Sequence, residues 1–493
     1  MRKQYKRKYM LVKTLSLVLV FLMLAMPCAA LRESSDYIYT PIGVSVPAPA
    51  SYFVDTVLYG PDMGFDALWN PEDIFVDNDS NIYIADTGNN RILVVDNTFS
   101  PVDIIDKVIF DGQPEYLNRP KGIYKQPDGL LYICDTENHR VIGVDENKNV
   151  VRLMNDKDLI VVNENIDFRP EKIVVTEDGI AYIVSSDIYQ GIVCFDADDG
   201  FTNFFAPNGV KVTIDVAILN MWKNIFSDEQ QESMIKTLPS PYNNIYLSSD
   251  NLFYTTAANV NEGDEIKCLN PLGINILRTP QHKSGGTAFG DLEVSYENNE
   301  YVTSHFIDVH ADESGIFAGL DVTRNRVFQY DRECNLICVF GGTGTQEGQF
   351  GKVAAIEKIG AQYIVLDNHR CSITVFSPTT YEKEVLSALE YYNKGLYSES
   401  IGLWKNILSK NCNFAVAYRS IGRAYLQESK SKQAMEMLKK GEDKYFYSLA
   451  LKEYRKEFAR RYLPYFIVGI VLAAFILYRL VKLIRKKLLD EGA

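Results

Sequence analysis

The sequence predicts an all-β propeller of six blades, followed by an α-helical region and one C-terminal transmembrane helix. Three observations support this prediction. A sequence unit recurs about every 45 to 50 residues, the apolar period changes from two to 3.6 from Tyr381 onward, and an uncharged apolar run lies near the C-terminus. The chain has 493 residues, which is enough for two or three domains.

The first thirty residues are typical of an export signal. Six basic side chains between Arg2 and Lys13 precede an apolar run from Leu15 to Met26, and small residues follow. This order predicts a signal peptide over residues 1–30 with cleavage after Ala30, and an uncleaved anchor is the alternative. In both cases residues 31–463 are expected to lie on the outer side of the membrane.

A repeated unit fills residues 51–378. Two copies align without a gap at a spacing of 49 residues, and the aligned pairs include Pro71 and Pro120, Asp86 and Asp135, and Arg91 and Arg140. Four more divergent copies follow. Each copy contains short runs of Ile, Val, Leu and Tyr that are separated by tight-turn residues, which is the pattern of antiparallel strands. Four-stranded units at this spacing predict the blades of a propeller.

The two ends of the repeat region predict how the ring closes. The sixth copy lacks a fourth strand after Phe376, and the strand-like segment Tyr52–Tyr59 precedes the first copy. We expect this segment to complete the last blade, because closure removes exposed strand edges. About twenty additional residues separate the third and fourth copies, and their apolar spacing predicts an amphipathic helix near 214–237 that packs on the rim or binds a partner.

The units resemble NHL repeats. The resemblance is carried by residues 86–91 (DTGNNR), by residues 135–140 (DTENHR) and by the glycine-rich segment 340–350, and it covers residues 51–378. It implies a six-bladed propeller. The resemblance also implies that the central channel could bind a metal. Some NHL-like lyases bind metal through channel histidines, and lactonase propellers hold calcium with carboxylates and an asparagine. The third unit departs from the pattern, because Gly191 lies near the place of the arginine.

Residues 379–463 are predicted to form packed helices. Small and bulky apolar residues recur at a spacing of 34, as in Ala388 and Gly422, Ser400 and Ala434, and Trp404 and Leu438. This pattern resembles two tetratricopeptide repeats over residues 381–443, which implies a helical stalk that either contacts a partner or acts as a spacer. Tyr445–Tyr462 is expected to form a further helix that leads to the membrane.

Residues 464–484 are predicted to cross a membrane. Twenty-one residues of helix span about 31 Å, the thickness of the apolar part of a bilayer. Five basic residues precede the uncharged run Tyr465–Tyr478 and five follow it, so the orientation is inferred from the export signal. We expect a single-pass protein of the cell membrane, with the ectodomain outside and residues 485–493 as a short cytoplasmic tail.

The charge of the repeat region limits its partners. Residues 31–378 carry 24 basic and 52 acidic side chains, a net charge of −28. Such a surface repels phosphate backbones, so the sequence excludes a nucleic-acid partner for this region. The expected partners are the membrane, through the C-terminal helix, and a protein or glycan on the outer side.

The loops that follow the second strands are predicted to form a ligand-binding face. Their polar side chains differ between units, which favours recognition of a polar ligand, although ordinary polar turns would have a similar composition. The candidate residues are Asn90, His139, Tyr189, Arg324, Asn325, His369 and Arg370. The recurring aspartates and arginines are instead predicted to be structural, with the aspartates capping backbone N–H groups and the arginines bridging adjacent blades.

Candidate metal ligands lie near the first strands, which line the channel of a propeller. Asp73, His305 and Asp308 are weak candidates for calcium or zinc, and ordinary solvated polar residues are the alternative interpretation. The sequence contains no nucleophile elbow, HExxH or Walker A motif. No cofactor is therefore expected, unless the channel binds a divalent metal.

Two classes of function agree with these observations. The favoured one is a surface-displayed binding or scaffold protein that recognises a glycan, a peptide or a partner subunit, in an envelope or solute-transport complex. The alternative is a lactonase-like or lyase-like metal-dependent enzyme. Bound metal at stoichiometric level in the purified ectodomain would distinguish the two.

Overall fold

The computed structural model describes residues 36–490 with internal gaps. The gaps are residues 41–42, 128, 156, 158, 160–166, 187, 210–238, 258–264, 278–287, 289, 293–294 and 298–299. The predicted signal peptide and the predicted helix near 214–237 lie outside the described residues.

Six sheets form the blades of a closed propeller, as the sequence predicts. In blades 1 to 3 the strands are Asp73–Val76, Ile82–Asp86, Arg91–Val95 and Pro101–Ile105; Pro120–Lys125, Leu131–Asp135, Arg140–Val144 and Val150–Asn155; and Pro170–Val175, Ala181–Ser185, Ile192–Phe195 and Phe201–Phe205. In blades 4 to 6 they are Tyr242–Leu247, Phe253–Ala257 and Ile266–Leu269; Phe306–Ala311, Phe317–Asp321, Arg326–Tyr330 and Leu336–Gly341; and Val353–Ile359, Gln362–Asp367 and Ser372–Pro378. The first strands of successive blades are neighbours around the ring, and blade 6 meets blade 1.

The N-terminal strand closes the ring. Tyr52–Tyr59 pairs antiparallel with Ser372–Pro378 and forms the outer strand of blade 6, which confirms the prediction. Tyr52 fixes this strand, because its buried ring lies 4.6 Å from the ring of Phe340 and 5.3 Å from that of Tyr363. The closing strand thus packs against blade 5 as well as blade 6.

Apolar side chains between neighbouring blades form the core of the propeller. The second strand of blade 2 shows the principle, because successive side chains of a strand point to opposite sides of the sheet. Tyr132 and Cys134 pack with the apolar residues of blade 3, whereas Ile133 packs with those of blade 1. Both faces of this strand are covered, which explains why its residues before Asp135 are apolar.

Among the described residues, three short hairpins lie outside the blades. They are formed by Tyr37–Tyr39 with Ser45–Pro47, by Lys107–Phe110 with Gln113–Tyr116, and by Ser295–Glu297 with Glu300–Val302. The first packs beside the outer strand of blade 5.

Five helices follow the propeller. They are α1 (Thr380–Asn393), α2 (Tyr397–Lys410), α3 (Ala415–Gln427), α4 (Ser431–Lys440) and α5 (Lys444–Asp490), and each packs against the next. The Thr379 hydroxyl caps α1 by accepting a hydrogen bond from Glu382 N at 3.2 Å. Helix α5 is continuous, so the further helix expected at Tyr445–Tyr462 and the apolar segment belong to one element.

The helices pack on the propeller at blades 5 and 6. Thr379 N donates to Ser51 O at 2.9 Å, and apolar residues of α1 share a cluster with residues of both blades. The Arg423 guanidinium of α3 pairs with Glu333, in the turn before the outer strand of blade 5, and with Asp443 at 2.7 Å. Ala450 of α5 is buried, whereas residues 455–485 are exposed. The helix contains a segment of mean hydropathy 2.3, long and apolar enough to cross a membrane.

Candidate functional site: the central cavity

A cavity of about 610 Å³ occupies the centre of the ring. The starts of the first strands surround its inner end, where Asp73, Asn244 and Asp308 are nearly fully buried. Its mouth lies among the turns between first and second strands, which include the exposed residues Asn78 and Glu177. The cavity therefore opens on the face of the propeller that carries these turns.

Six equivalent positions, one per blade, form a first ring at the inner end. In blade order they are Asp73, Gly122, Lys172, Asn244, Asp308 and Ala355. Charged side chains occupy the odd-numbered blades, and small or neutral ones occupy the even-numbered blades. Gly122 is small for a steric reason, because a Cβ atom at this position would lie 2.5 Å from Glu171 O of the next blade.

Lys172 joins the two aspartates of this first ring. Its Nζ atom contacts Asp73 Oδ1 and lies 3.8 Å from Asp308 Oδ2. Each aspartate also accepts a backbone N–H of the following blade, from Ile123 at 3.1 Å for Asp73 and from Ile356 at 2.8 Å for Asp308. Asn244 Nδ2 also donates to Asp308 Oδ1, so the network links all six blades across the channel.

Burial and unequal charge perturb the three ionisable groups of the first ring. Burial raises the pKa of Asp308 to about 7 and also raises the pKa of Asp73. Burial lowers the pKa of Lys172, but the charges of Asp308 and Asp73 outweigh this effect, so its pKa lies above the usual value. Two carboxylates share one ammonium group, which leaves an excess of negative charge at the inner end when both are ionised.

A second ring lies nearer the mouth and is rich in aromatic groups. In blade order its positions are Phe75, Tyr124, Val174, Tyr246, His310 and Glu357. The Phe75 and Tyr124 rings are 5.4 Å apart, and those of Tyr246 and His310 are 4.9 Å apart. His310 Nδ1 lies 2.8 Å from Glu357 Oε2. An ionised carboxylate can only accept, so Nδ1 donates to Glu357, and in the neutral imidazole His310 Nε2 is then an acceptor.

The structure brings two of the three metal candidates together, but around a lysine. Asp73 and Asp308 both face the Lys172 ammonium group, whereas His305 lies before the first strand of blade 5, with Nε2 at 2.9 Å from Asn243 Nδ2. Burial lowers the pKa of His305. In the part of the chain that the structure describes, no group of three or more His, Cys, Asp or Glu side chains is placed to hold a metal ion.

Sequence reasoning missed Lys172, Glu357 and the position of His310 in the cavity. The signal was present in the repeat alignment. Lys172 aligns with Asp73 and Asp308, and Glu357 aligns with Phe75 and His310. An alignment read at these two positions, rather than at the corners of the blades, would have found both rings.

The predicted ligand-binding residues lie on the face opposite the mouth, because the turns after first and second strands emerge at opposite ends of a blade. Three of them occupy equivalent left-handed positions: Asn90 with φ 56°, His139 with φ 53° and Asn325 with φ 54°. Each side chain contacts the next blade or the segment that leads into it. Asn90 Oδ1 accepts from Arg119 N at 2.8 Å, His139 Nδ1 lies 3.1 Å from Phe168 O, and Asn325 Oδ1 accepts from Val353 N at 3.0 Å.

The other four candidates on this face differ in exposure. Arg370 donates from Nη1 to Gln349 O at 2.7 Å, and Arg324 Nε lies 3.5 Å from Asp291 Oδ2. Tyr189 is half-buried and His369 is exposed. The face therefore presents fewer available side chains than the sequence indicates.

The recurring aspartates cap backbone groups, as predicted. Asp86 Oδ1 accepts from Trp69 N at 2.8 Å, Asp135 Oδ1 from Asn118 N at 2.7 Å, and Asp321 Oδ1 from His305 N at 2.8 Å. In each case the N–H belongs to the segment that leads into the same blade. The aspartate thus fixes the entry to its own first strand.

The prediction that the recurring arginines bridge adjacent blades is wrong for Arg91 and Arg140, and Arg326 pairs with Asp291 at 2.7 Å. Arg91 and Arg140 pair with the aspartate of their own blade, Asp86 at 2.7 Å and Asp135 at 2.9 Å. The residue after the aspartate reaches the next blade instead. Thr87 Oγ1 donates to Pro120 O at 2.7 Å and Thr136 Oγ1 to Pro170 O at 2.7 Å, because this side chain starts the turn that faces the neighbouring first strand.

Comparison with known proteins finds similarity of architecture only. No protein-family model and no curated protein matches the chain. Solved structures with a similar fold include a virginiamycin B lyase from Staphylococcus aureus, with 11% identity, a TM-score of 0.40, and 66% of this chain and 99% of that chain covered. A gluconolactonase from Xanthomonas campestris has 10% identity, a TM-score of 0.38 and coverages of 71% and 99%.

A third similar structure is the extracellular domain of a putative hybrid two-component system from Bacteroides thetaiotaomicron. It has 9% identity and a TM-score of 0.36, and the match covers 69% of this chain and 39% of that one. At identities this low, the similarity supports a shared propeller fold and nothing more.

Proposed function

We propose that this protein is a membrane-anchored binding protein that recognises a glycan, a peptide or a partner subunit with its acidic propeller, as an accessory to an envelope or solute-transport complex. The central cavity is the primary binding site. The observation that carries this proposal is the combination of an open cavity of about 610 Å³ with two rings of side chains that differ from blade to blade. A cavity of this size suits a small ligand or the end of a larger one.

The position of the mouth supports a role near a membrane complex. The turn before the outer strand of blade 5 lies on the same face as the mouth, since the first-to-second and third-to-fourth turns share one end of a blade. This turn is where Glu333 and Asn335 contact Arg423 and Arg419 of α3. A ligand in the cavity is therefore bound on the face to which the helices attach.

The proposal includes no metal cofactor. The lactonase-like or lyase-like alternative needs a divalent ion in the channel, and Asp73 and Asp308 are its best ligands in the described residues. Both already contact Lys172. A calcium or zinc ion at this point would have to displace a buried ammonium group, which disfavours the enzyme.

The proposed topology has residues 31–463 outside the cell, residues 464–484 of α5 across the cell membrane, and residues 485–493 in the cytoplasm. Protease added to intact cells should then remove the propeller and leave a membrane stub. Full protection of the propeller in cells with an accessible surface would contradict this orientation, while leaving the cavity untouched.

The binding role is tested by thermal unfolding of the full chain in detergent, with a panel of sugars, amino acids, amines and short peptides. Val174→Trp should fill the cavity, because aromatic side chains occupy the same ring position in blades 1, 2 and 4. Val151→Trp, on the exposed outer strand of blade 2, is the matched control. We expect at least one compound to stabilise the wild type and the control but not Val174→Trp.

The opposite result would favour the enzyme. Calcium or zinc that copurifies at stoichiometric level, together with lactone hydrolysis that a chelator abolishes, would contradict the binding proposal. So would a panel in which every stabilising compound acts equally on Val174→Trp and the wild type.

A further inference from the structure

The walls of the cavity offer more hydrogen-bond acceptors than available donors. Lys172 is held by two aspartates, Lys358 near the mouth pairs with Asp312 at 2.9 Å, and Lys125 Nζ lies over the Tyr83 ring at 5.8 Å from its centroid. By contrast, Glu357 accepts a side-chain hydrogen bond from His310 Nδ1, and in the neutral imidazole the Nε2 atom is a further acceptor. A ligand that donates several hydrogen bonds complements this wall better than one that accepts them.

The charge of the cavity lining also favours a ligand that donates hydrogen bonds, in particular a cation. Seven acidic side chains and three lysines line the cavity, and the acidic ones are Asp73, Asp77, Glu177, Asp308, Asp312, Glu313 and Glu357. Glu357 is among the buried ones, with 7% of its surface exposed. Because charges interact strongly where water is excluded, an anion is disfavoured here and a cation is stabilised.

The aromatic side chains of the second ring add a third preference. Phe75, Tyr124 and Tyr246 line the cavity on three blades, on either side of the His310–Glu357 pair around the ring. The faces of aromatic rings attract organic cations, and their apolar surface accommodates an alkyl chain. An aliphatic molecule with a charged end satisfies both.

We propose that the central cavity binds a protonated primary amine on a small aliphatic molecule, with its ammonium group at the His310–Glu357 pair and its chain along the aromatic wall. The inference rests on the proposed function, because it names the ligand class of the same cavity. A primary ammonium group supplies three N–H donors for Glu357 and for His310 Nε2, whereas a quaternary ammonium ion supplies none.

The test is calorimetric titration of the full chain in detergent with n-butylamine, n-butanol and tetramethylammonium. We expect saturable binding of butylamine, and affinities about tenfold weaker or worse for the neutral alcohol and for the quaternary ion. Glu357→Gln keeps the size of the side chain, removes its charge, and should weaken butylamine binding about tenfold. Glu146→Gln, at an exposed position outside the cavity lining, is the matched control and should bind as the wild type does.

Tyr246→Leu provides a second variant in case Glu357→Gln fails to fold, and it should also weaken butylamine binding. The proposal is overturned if butanol or tetramethylammonium binds as tightly as butylamine, or if neither Glu357→Gln nor Tyr246→Leu reduces the affinity. The proposed function survives such a result if another compound of the panel stabilises the wild type but not Val174→Trp. The proposed function fails together with the proposed ligand class only if no compound stabilises the wild type more than Val174→Trp.

Discussion

The outer corners of the blades and the central channel belong to the same six repeated units, but their side chains follow opposite rules. At the corners the same residues recur and make the same contacts, as Asp86 and Asp135 do with the segments that enter their blades. In the channel, equivalent positions hold different residues, and Lys172 stands where blades 1 and 5 have aspartate. Repetition therefore marks positions that each blade needs to fold, and divergence marks positions that only the assembled ring uses.

Corner contacts and channel contacts also contribute to stability in different ways. A corner contact joins a blade to its own entry segment or to one neighbour, so it is needed once per blade. The Lys172 network crosses the channel and can form only when the ring has closed. Corner variants should thus lower stability without changing the cavity, and channel variants should change both.

The largest expected effect comes from opening the ring, because the channel network cannot form in an open ring. Deleting Tyr52–Tyr59 strips blade 6 of its outer strand and removes the Tyr52 contacts with blade 5. An unpaired strand edge then remains, and such edges pair with other chains. We expect aggregation or a large fall in melting temperature, measured by light scattering and circular dichroism. A deletion variant that melts as the wild type does would show that the ring closes without this strand.

A corner variant should have the next largest effect. Asp135 is fully buried, caps Asn118 N at 2.7 Å and pairs with Arg140 at 2.9 Å. Asp135→Ala leaves a buried N–H group and a largely buried guanidinium short of a partner, which should cost about 3 kcal/mol of unfolding free energy in a urea titration. Exposed Asp178→Ala is the control, with a change within about 0.5 kcal/mol. Butylamine affinity should be unchanged in both, and a loss of binding in Asp135→Ala would break the proposed separation.

A channel variant should have an effect that depends on pH and is smaller than that of Asp135→Ala below pH 8. Lys172→Met removes the cation that holds down the pKa values of Asp73 and Asp308, so both pKa values should rise further. A carboxyl group whose pKa is raised in the folded state contributes stability that is lost as pH rises through that pKa. The loss relative to wild type should therefore grow, from about 1 kcal/mol at pH 5 to about 3 kcal/mol at pH 8.

The control for Lys172→Met is Lys121→Met. Lys121 forms a partly exposed ion pair with Glu171 at 2.6 Å, one residue before the first-ring position of blade 2. Its loss should cost less than about 1 kcal/mol, with little dependence on pH. An equal, pH-independent loss in the two variants would mean that the channel network is no different from a surface ion pair.

The sequence predicts the fold better than the site, and the reason is physical. The blades, the closing strand and the capping aspartates follow from local patterns that each unit repeats, such as strand alternation and the turn that begins at Asp86. The cavity depends on which of six distant first strands face one another. Lys172 and Asp308 are far apart in the chain, and their contact exists only because the ring closes. A single unit contains no signal for it.

The smallest expected effect is on stability at the loop face, and it decides which of the two regions recognises the ligand. Tyr189 is half-buried and His369 is exposed, and both lie on the face opposite the cavity mouth. Replacing both by Ala should change the unfolding free energy by less than about 0.5 kcal/mol for each residue, as exposed loop substitutions usually do. Any compound that stabilises the wild type but not Val174→Trp should still bind this double variant with unchanged affinity, measured by calorimetry. If binding is lost in the double variant and retained in Glu357→Gln, recognition belongs to the loop face, and divergence at the blade corners would mark function as well.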